Sequence, residues 1–307
     1  MNSKRKLLIV GGTGFIGYHL AKEAISRKFL VTSISTKKPT KKRKLSKINY
    51  IICDITKKKD LKTKLNKNFD YVVNLGGYVD HTNKKKTFLS HYIGCKNLAN
   101  FFLNTKLHSF VQIGSSVEYG KIKSPHKENA LCSAKKLKST YGKAKLLATN
   151  YLINLYKKHK FPFTALRLYL SYGPKQDINR FLPIIIDGCI KDINFPCSSG
   201  VQYRDFLHVS DVVKAILKSL KIKDSKGEII NIGTGKPKKI KNIILFIKKK
   251  IKGGKPEFGE IKFRKDEILK LYPDIKKAKK ILNWSPKISF NHGINSTINY
   301  YIKNRKI

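Results

Sequence analysis

Leu7-Leu8-Ile9-Val10 runs straight into Gly11-Gly12-Thr13-Gly14-Phe15-Ile16-Gly17, and from Ile16 to Ser26 apolar residues recur at helical spacing. A β-rich run, a glycine turn and a helix in that order make a phosphate cradle. The glycines allow a tight turn, let backbone N–H groups approach a pyrophosphate, and let the helix pack close on the strand. The run satisfies GxGxxG from Gly12 and GxxGxxG from Gly11. In this setting Gly11, Gly14, Phe15, Ile16 and Gly17 are candidates for holding a dinucleotide.

Moving outward, the same alternation repeats. Leu30–Ile34, Tyr50–Ile52, Tyr71–Leu75, Phe110–Ile113 and Thr164–Leu168 read as strands buried on both faces, and Phe88–Asn104 and Thr140–Lys158 read as helices. Strands alternating with helices predict a parallel sheet covered on both sides. From Gly173 the pattern changes to proline-bearing segments, a helix over Asp211–Leu220 entered at a capping Ser210-Asp211 pair, then short strands and amphipathic helices. The expected fold class is therefore α/β: a Rossmann-type doubly wound parallel sheet with a smaller, intertwined C-terminal α+β substrate domain. The expected division is 1–172 for the dinucleotide, with 206–232 returning to it, and 173–307 for the substrate.

Composition narrows the class. Hydrophobic residues make up 41% of the 307, with 16 Phe and 15 Tyr, which excludes a disordered chain. The balance of 66 Lys+Arg against 19 Asp+Glu gives a net charge of +47, a value that suggests a polyanionic partner. Lysines are spread over nearly every segment, however, and only Lys37–Lys47 and Lys248–Lys255 form local clusters, so the charge reads as compositional background and nucleic acid is not the expected partner. Five scattered cysteines form no CxxC pair and no metal-ligand spacing, so neither a metal nor a disulfide framework is expected. The basic start Lys4-Arg5-Lys6 followed by an apolar run resembles a signal peptide, but the run breaks at Gly11-Gly12, and no run approaches a membrane span. The expected setting is the cytoplasm.

Cofactor choice should be read at the end of the second strand, where a carboxylate would hold the ribose 2′-hydroxyl of NAD. Ser35 stands there, followed by Thr36, Lys37 and Lys38, a set that leans toward the extra phosphate of NADP, with NAD as the alternative. Asp54-Ile55 after the third strand could meet the adenine; a turn aspartate is the competing reading. Leu75 and Gly76 close the fourth strand's end. Further on, Tyr141-Gly142-Lys143-Ala144-Lys145 places Tyr141 and Lys145 one helical turn apart. A phenol titrates near ~10, and an ammonium about 4 Å away at an effective dielectric of ~20 attracts its phenolate by roughly 4 kcal/mol. Ser115 and Ser116, at the end of the fifth strand, supply a hydroxyl for the same oxygen.

Together these stretches resemble the extended short-chain dehydrogenases/reductases, in particular the NAD(P)-dependent nucleotide-sugar epimerase/dehydratase family. The resemblance covers almost the whole chain. It rests on Gly11–Gly17, Ser115–Gly120, Tyr141–Lys145, Arg167–Pro174, Gln202–Phe206, Asn231–Gly235 and Leu282–Pro286. It implies that Tyr141 is the acid/base, that Lys145 lowers its pKa and holds the cofactor ribose, and that Ser115, with Ser116 as the lesser candidate, orients the substrate oxygen. It also implies that Arg204 and Arg264 grip a substrate diphosphate, a task suited to the guanidinium fork, and that the two long helices pair into a homodimer. The apolar Phe101, Phe102, Leu146, Leu147, Leu152 and Leu155 are the surplus expected to feed that interface.

The chain also departs from the family pattern. Dehydratases and decarboxylases of the family carry Glu two residues before the tyrosine of the strand-end motif; here Val117 stands there and Glu118 is one closer. In an extended strand end that shift turns the side chain to the opposite face, which argues against dehydration. Asn three before Tyr-Gly-Pro is missing near Leu170, and the usual His-Leu-Ala-Ala is Asn74-Leu75-Gly76-Gly77. The expected reaction is hydride transfer at C4 of a nucleotide-activated sugar. The Glu-Tyr-Gly ending favours reduction of a 4-keto-6-deoxy sugar for polysaccharide synthesis, with a 4-epimerase using tightly held NAD as the alternative. A non-catalytic RNA-binding member of the fold is the alternative of another class.

Overall fold

In a computed structural model the described residues are 4–80, 82–263 and 267–304. Seven parallel strands form the central sheet: β1 (Lys6–Val10), β2 (Leu30–Ser35), β3 (Ile48–Ile52), β4 (Tyr71–Asn74), β5 (Ser109–Ser115), β6 (Phe163–Leu168) and β7 (Glu228–Ile232). Their order is β7-β6-β5-β4-β1-β2-β3. The register sets Leu7 beside Val31 and Tyr71, and Val111 beside Thr164. This is the α/β, Rossmann-type doubly wound architecture. The short apolar runs form strands because both faces are covered, so an inward side chain is needed at every position. In β1, Leu7 and Ile9 enter one core while Leu8 and Val10 enter the other.

The helices divide accordingly. α1 (Phe15–Ser26) packs on one face; α2 (Lys58–Lys64), α4 (Gly94–Phe101) and α5 (Thr140–His159) pack on the other, with α3 (Lys84–Phe88) lying against α5. A third core gathers α6 (Phe181–Ile190), α8 (Ile240–Ile251) and α10 (Phe290–Lys303) around Tyr172 and Phe206. Between α6 and α8, α7 (Val209–Lys221) returns to the α1 face and leads to β7. α9 (Lys276–Leu282) docks there too, and the Trp284 indole donates to the Asp211 carbonyl at 3.1 Å.

Three local expectations are corrected. The helix expected over Phe88–Asn104 starts earlier: Asn83 caps α3, accepting the Lys86 N–H at 2.9 Å, and a π-helical turn over Leu89–Ile93 joins α3 to α4. Lys84–Lys86 is polar and exposed, so apolar periodicity cannot reveal that first turn. α7 is capped by His208, which accepts the Ser210 N–H at 3.3 Å, rather than by Ser210-Asp211. Asp211 instead turns inward and accepts the N–H groups of Lys287 and Ile288, both at 2.8 Å. Finally, Phe102, Leu146, Leu152 and Leu155 are buried in the core of the single chain, which leaves only Phe101 and Leu147 of the six expected interface residues partly open.

Candidate functional site

The strand order reverses between β1 and β4, because the chain runs outward through β2 and β3 and then crosses back. Such a switch point opens a crevice at the carboxyl ends of the strands. The glycine turn lies there. Gly11 has φ +78, and a Cβ on it would sit 3.2 Å from the Leu75 backbone carbonyl. At Gly17 a Cβ would lie 2.2 Å from the Gly11 carbonyl oxygen, so helix and turn touch through bare backbone. Gly14 is the N-cap of α1, without a side-chain cap and without an acidic residue in the first turn, which leaves the positive helix end open to an anion.

The crevice has a volume of about 590 Å³, within the usual range for cofactor sites. Of the residues singled out from the sequence for the cofactor, Gly11, Gly14, Ser35, Asp54, Ile55, Leu75 and Gly76 line it; Phe15, Ile16, Gly17, Lys37, Tyr141 and Lys145 do not. Ser35 Oγ accepts from the Thr13 hydroxyl at 3.0 Å. Asp54 is a turn aspartate, its Oδ1 accepting from the Thr56 N–H at 2.9 Å and the Thr56 hydroxyl at 2.8 Å. Thr13, Tyr78, Lys86 and Ser90 also line the crevice and were not found from the sequence. Lys86 belongs to the unforeseen first turn of α3. The bare glycine turn, the open helix end and the roomy crevice fit a dinucleotide.

Ser115 ends β5, and Ser139 caps α5, accepting the Gly142 N–H at 3.3 Å, so that Tyr141 and Lys145 follow on its first turns. The Ser115 side chain lies close enough to the Tyr141 phenol to favour its ionised form by hydrogen bonding. The His91 ring, from the π-helical turn, meets the Tyr141 ring edge-on at 4.8 Å between centroids. Burial raises the Tyr141 phenol above its ordinary value; the Ser115 bond opposes this, Glu118 adds to it, and Arg180 opposes it. Lys145 is buried, donates to the Ile113 carbonyl at 2.6 Å, and is pushed down to about 8 by burial. Its Nζ stands 5.8 Å from the Tyr141 ring centroid. The expected ammonium–phenolate help is therefore not the governing effect on the phenol here: desolvation is. Among the described residues Arg180, just before α6, is a cation that favours the Tyr141 phenolate, and its distance in sequence hid it.

The strand-end motif is not extended. Residues Ser116–Tyr119 form a 3₁₀ turn closed by a capping box between Ser115 and Glu118. Glu118 is fully buried: Oε1 accepts the Ser115 N–H at 2.8 Å, and Oε2 accepts the Thr149 hydroxyl at 2.9 Å and Arg167 Nε at 3.0 Å. The Glu118 side chain is therefore not on the face that an extended strand end would give it. Glu118 is committed to these three donors, and Ser116 is buried as well. On the short strand Tyr203–Arg204, Arg204 donates to its neighbour's carbonyl at 2.9 Å and pairs closely with Glu267. Arg264 lies outside the described residues.

A doubly wound sheet with a glycine turn at its switch point and a Ser–Tyr–Lys set beside it defines a dinucleotide-dependent enzyme of the extended short-chain dehydrogenase/reductase type. Residues 7–233 match the model of the NAD dependent epimerase/dehydratase family, and the chain belongs to that family. Among its relatives is a Methanocaldococcus jannaschii protein named "Putative UDP-glucose 4-epimerase", 29% identical over 98% of this chain and 99% of the relative. The solved structure of the Thermotoga maritima UDP-glucose 4-epimerase with UDP-glucose superposes with TM-score 0.89 at 22% identity, covering 98% of this chain and 99% of that one. The UDP-glucuronic acid 4-epimerase of Bacillus cereus, in complex with UDP-glucuronic acid and NAD, gives TM-score 0.86 at 24% identity over 97% and 99%. Among the described residues no helix is long and apolar enough to cross a membrane.

Proposed function

We propose that this enzyme acts at C4 of a nucleotide-activated sugar, oxidising the carbon and reducing it again from the other side, with NAD held throughout. The observation that carries the reading is the packing of the end of β5 on α5, which brings the Ser115 side chain within hydrogen-bonding influence of the Tyr141 phenol. When bound, the dinucleotide supplies hydride acceptance and return. As a phenolate, Tyr141 Oη would take the proton of the C4 hydroxyl and give it back, while Ser115 Oγ hydrogen-bonds the same oxygen; burial opposes that ionised form, and the positive nicotinamide ring of bound NAD would favour it. Buried Lys145, its pKa lowered to about 8, holds the Ile113 carbonyl and steadies the first turns of α5. Arg204 exchanges Glu267 for the substrate diphosphate. Residues 1–172 with 206–232 serve the dinucleotide and 173–307 the sugar nucleotide, and the working protein is a cytoplasmic homodimer.

A second reading is reduction of a 4-keto-6-deoxy sugar by NADPH. It is favoured by the end of β2, where Ser35 and Thr36 offer no carboxylate to a ribose 2′-hydroxyl and Asp54 is taken by Thr56. The purified protein is incubated with UDP- and dTDP-hexoses, with and without added NADPH. Epimerisation produces the C4 epimer by NMR without net cofactor consumption; reduction oxidises one NADPH per sugar of a 4-keto substrate. Neither product from any sugar in either arm sinks both readings.

A further inference from the structure

Glu118 belongs to no group that touches the crevice, yet it joins three elements that meet at the proposed reaction site. Its backbone neighbour Ser115 ends β5, Thr149 stands two turns beyond Tyr141 on α5, and Arg167 lies on β6. The carboxylate is fully buried, Arg167 is nearly so, and the guanidinium stacks over the Tyr119 ring at 4.5 Å. A buried ion pair is weak evidence for stability, since an apolar pair of like volume often serves as well. Three donors from three elements on one carboxylate are a different matter. They fix the distance between the Ser115 backbone and helix α5 more narrowly than apolar packing does.

We propose that Glu118 is a positioning residue: it locks the end of β5 to α5 so that Ser115 Oγ and Tyr141 Oη converge on a single substrate oxygen. This rests on the assignment of Ser115 and Tyr141 to the reaction. A misplacement of about 1 Å costs on the order of 10²-fold in rate, so the lock acts on kcat rather than on binding. Thr149 is the link to α5, and Arg167 balances the buried charge.

The test replaces the ion pair by apolar residues of similar length, Glu118→Met with Arg167→Met, so that no charge is left unpaired. A separate pair, Thr149→Val and Thr149→Ser, removes or keeps the hydroxyl. Amide exchange over Ser115–Gly120 is read in the free protein, and NAD affinity and UDP-glucose turnover in the full chain. The apolar double variant should lose protection at the Ser115 amide, bind NAD normally, and lose on the order of 10²-fold in kcat with little change in KM. Thr149→Val should lose several-fold in kcat and Thr149→Ser should restore it. Unchanged Ser115 exchange in the double variant overturns the proposal, as does wild-type turnover there or equal turnover of the two Thr149 variants. Tyr141→Phe in the same assay separates the two claims: a retained rate removes the assignment of Tyr141, whereas a lost rate beside an active double variant removes the role of Glu118 alone. If the double variant does not fold, the Thr149 pair still decides.

Discussion

Gly17→Ala adds a single methyl at the seam between the glycine turn and α1, and the structure sets its consequence. The new Cβ would stand 2.2 Å from the Gly11 carbonyl oxygen and 2.6 Å from the Gly12 Cα, against the 3.4 Å at which ordinary contact begins. Both obstacles are backbone, so no side chain can rotate away. Helix α1 must retreat from the turn by about an ångström, a shift of the kind that overpacking imposes at about 1–3 kcal/mol. The same shift would withdraw the N–H groups of the first turn from an anion bound at Gly14. We expect a lowered melting temperature and a dinucleotide affinity weaker by about ten- to a hundred-fold, from the loss of roughly 1.5–3 kcal/mol of charge-assisted hydrogen bonding. Differential scanning calorimetry gives the first and isothermal titration with NAD gives the second. A variant that melts like the wild type and binds NAD equally well would refute the close-approach argument and, with it, the placement of the pyrophosphate on this turn.

Tyr141→Phe should keep the fold and NAD binding but lose about 10²–10⁴-fold in kcat, measured by NMR turnover; a near-normal rate means another group moves the proton. Arg204→Ala should raise KM for the nucleotide-sugar about ten- to a hundred-fold while leaving NAD affinity alone, so a titration in which only the dinucleotide weakens misplaces the substrate site. Lys226, whose ammonium donates to the Ser219 carbonyl at 3.0 Å, is lowered from 10.5 to about 8 by burial. Between those values the unfolded chain holds a proton the folded one has lost, so wild-type stability relative to Lys226→Met should rise with pH across that window, by about 2–3 kcal/mol in urea unfolding; a flat difference speaks against the burial. The partly open Tyr92, Phe101, Leu147 and Tyr151 should seat a second copy, and a monomeric mass by light scattering in moderate salt contradicts the dimer.

The sequence by itself determined whatever depends on neighbours along the chain. The glycine turn is a local conformational demand, the strand–helix alternation follows from patterning within short windows, and the spacing of Tyr141 and Lys145 is one helical turn. Each could be read because the physics that creates it acts over a few residues. Even so, local reading failed where its assumed conformation was wrong. Glu118 was assigned a face as if Ser115–Gly120 were extended, whereas a 3₁₀ turn curls it into the core. The start of α3 was missed because a capped, solvated turn has no apolar signature.

Only the tertiary structure decided the long-range matters. Ser115 comes near Tyr141 because β5 and α5 pack together, and Arg180 acts on the phenol through its charge from the start of α6. Lys86 joins the crevice through α3, and Arg204 finds Glu267 more than sixty residues on. Which effect governs the Tyr141 phenol was likewise beyond the sequence. Spacing showed an ammonium nearby, but the balance between that charge and desolvation depends on burial. Burial is a property of the packed chain, and here it wins.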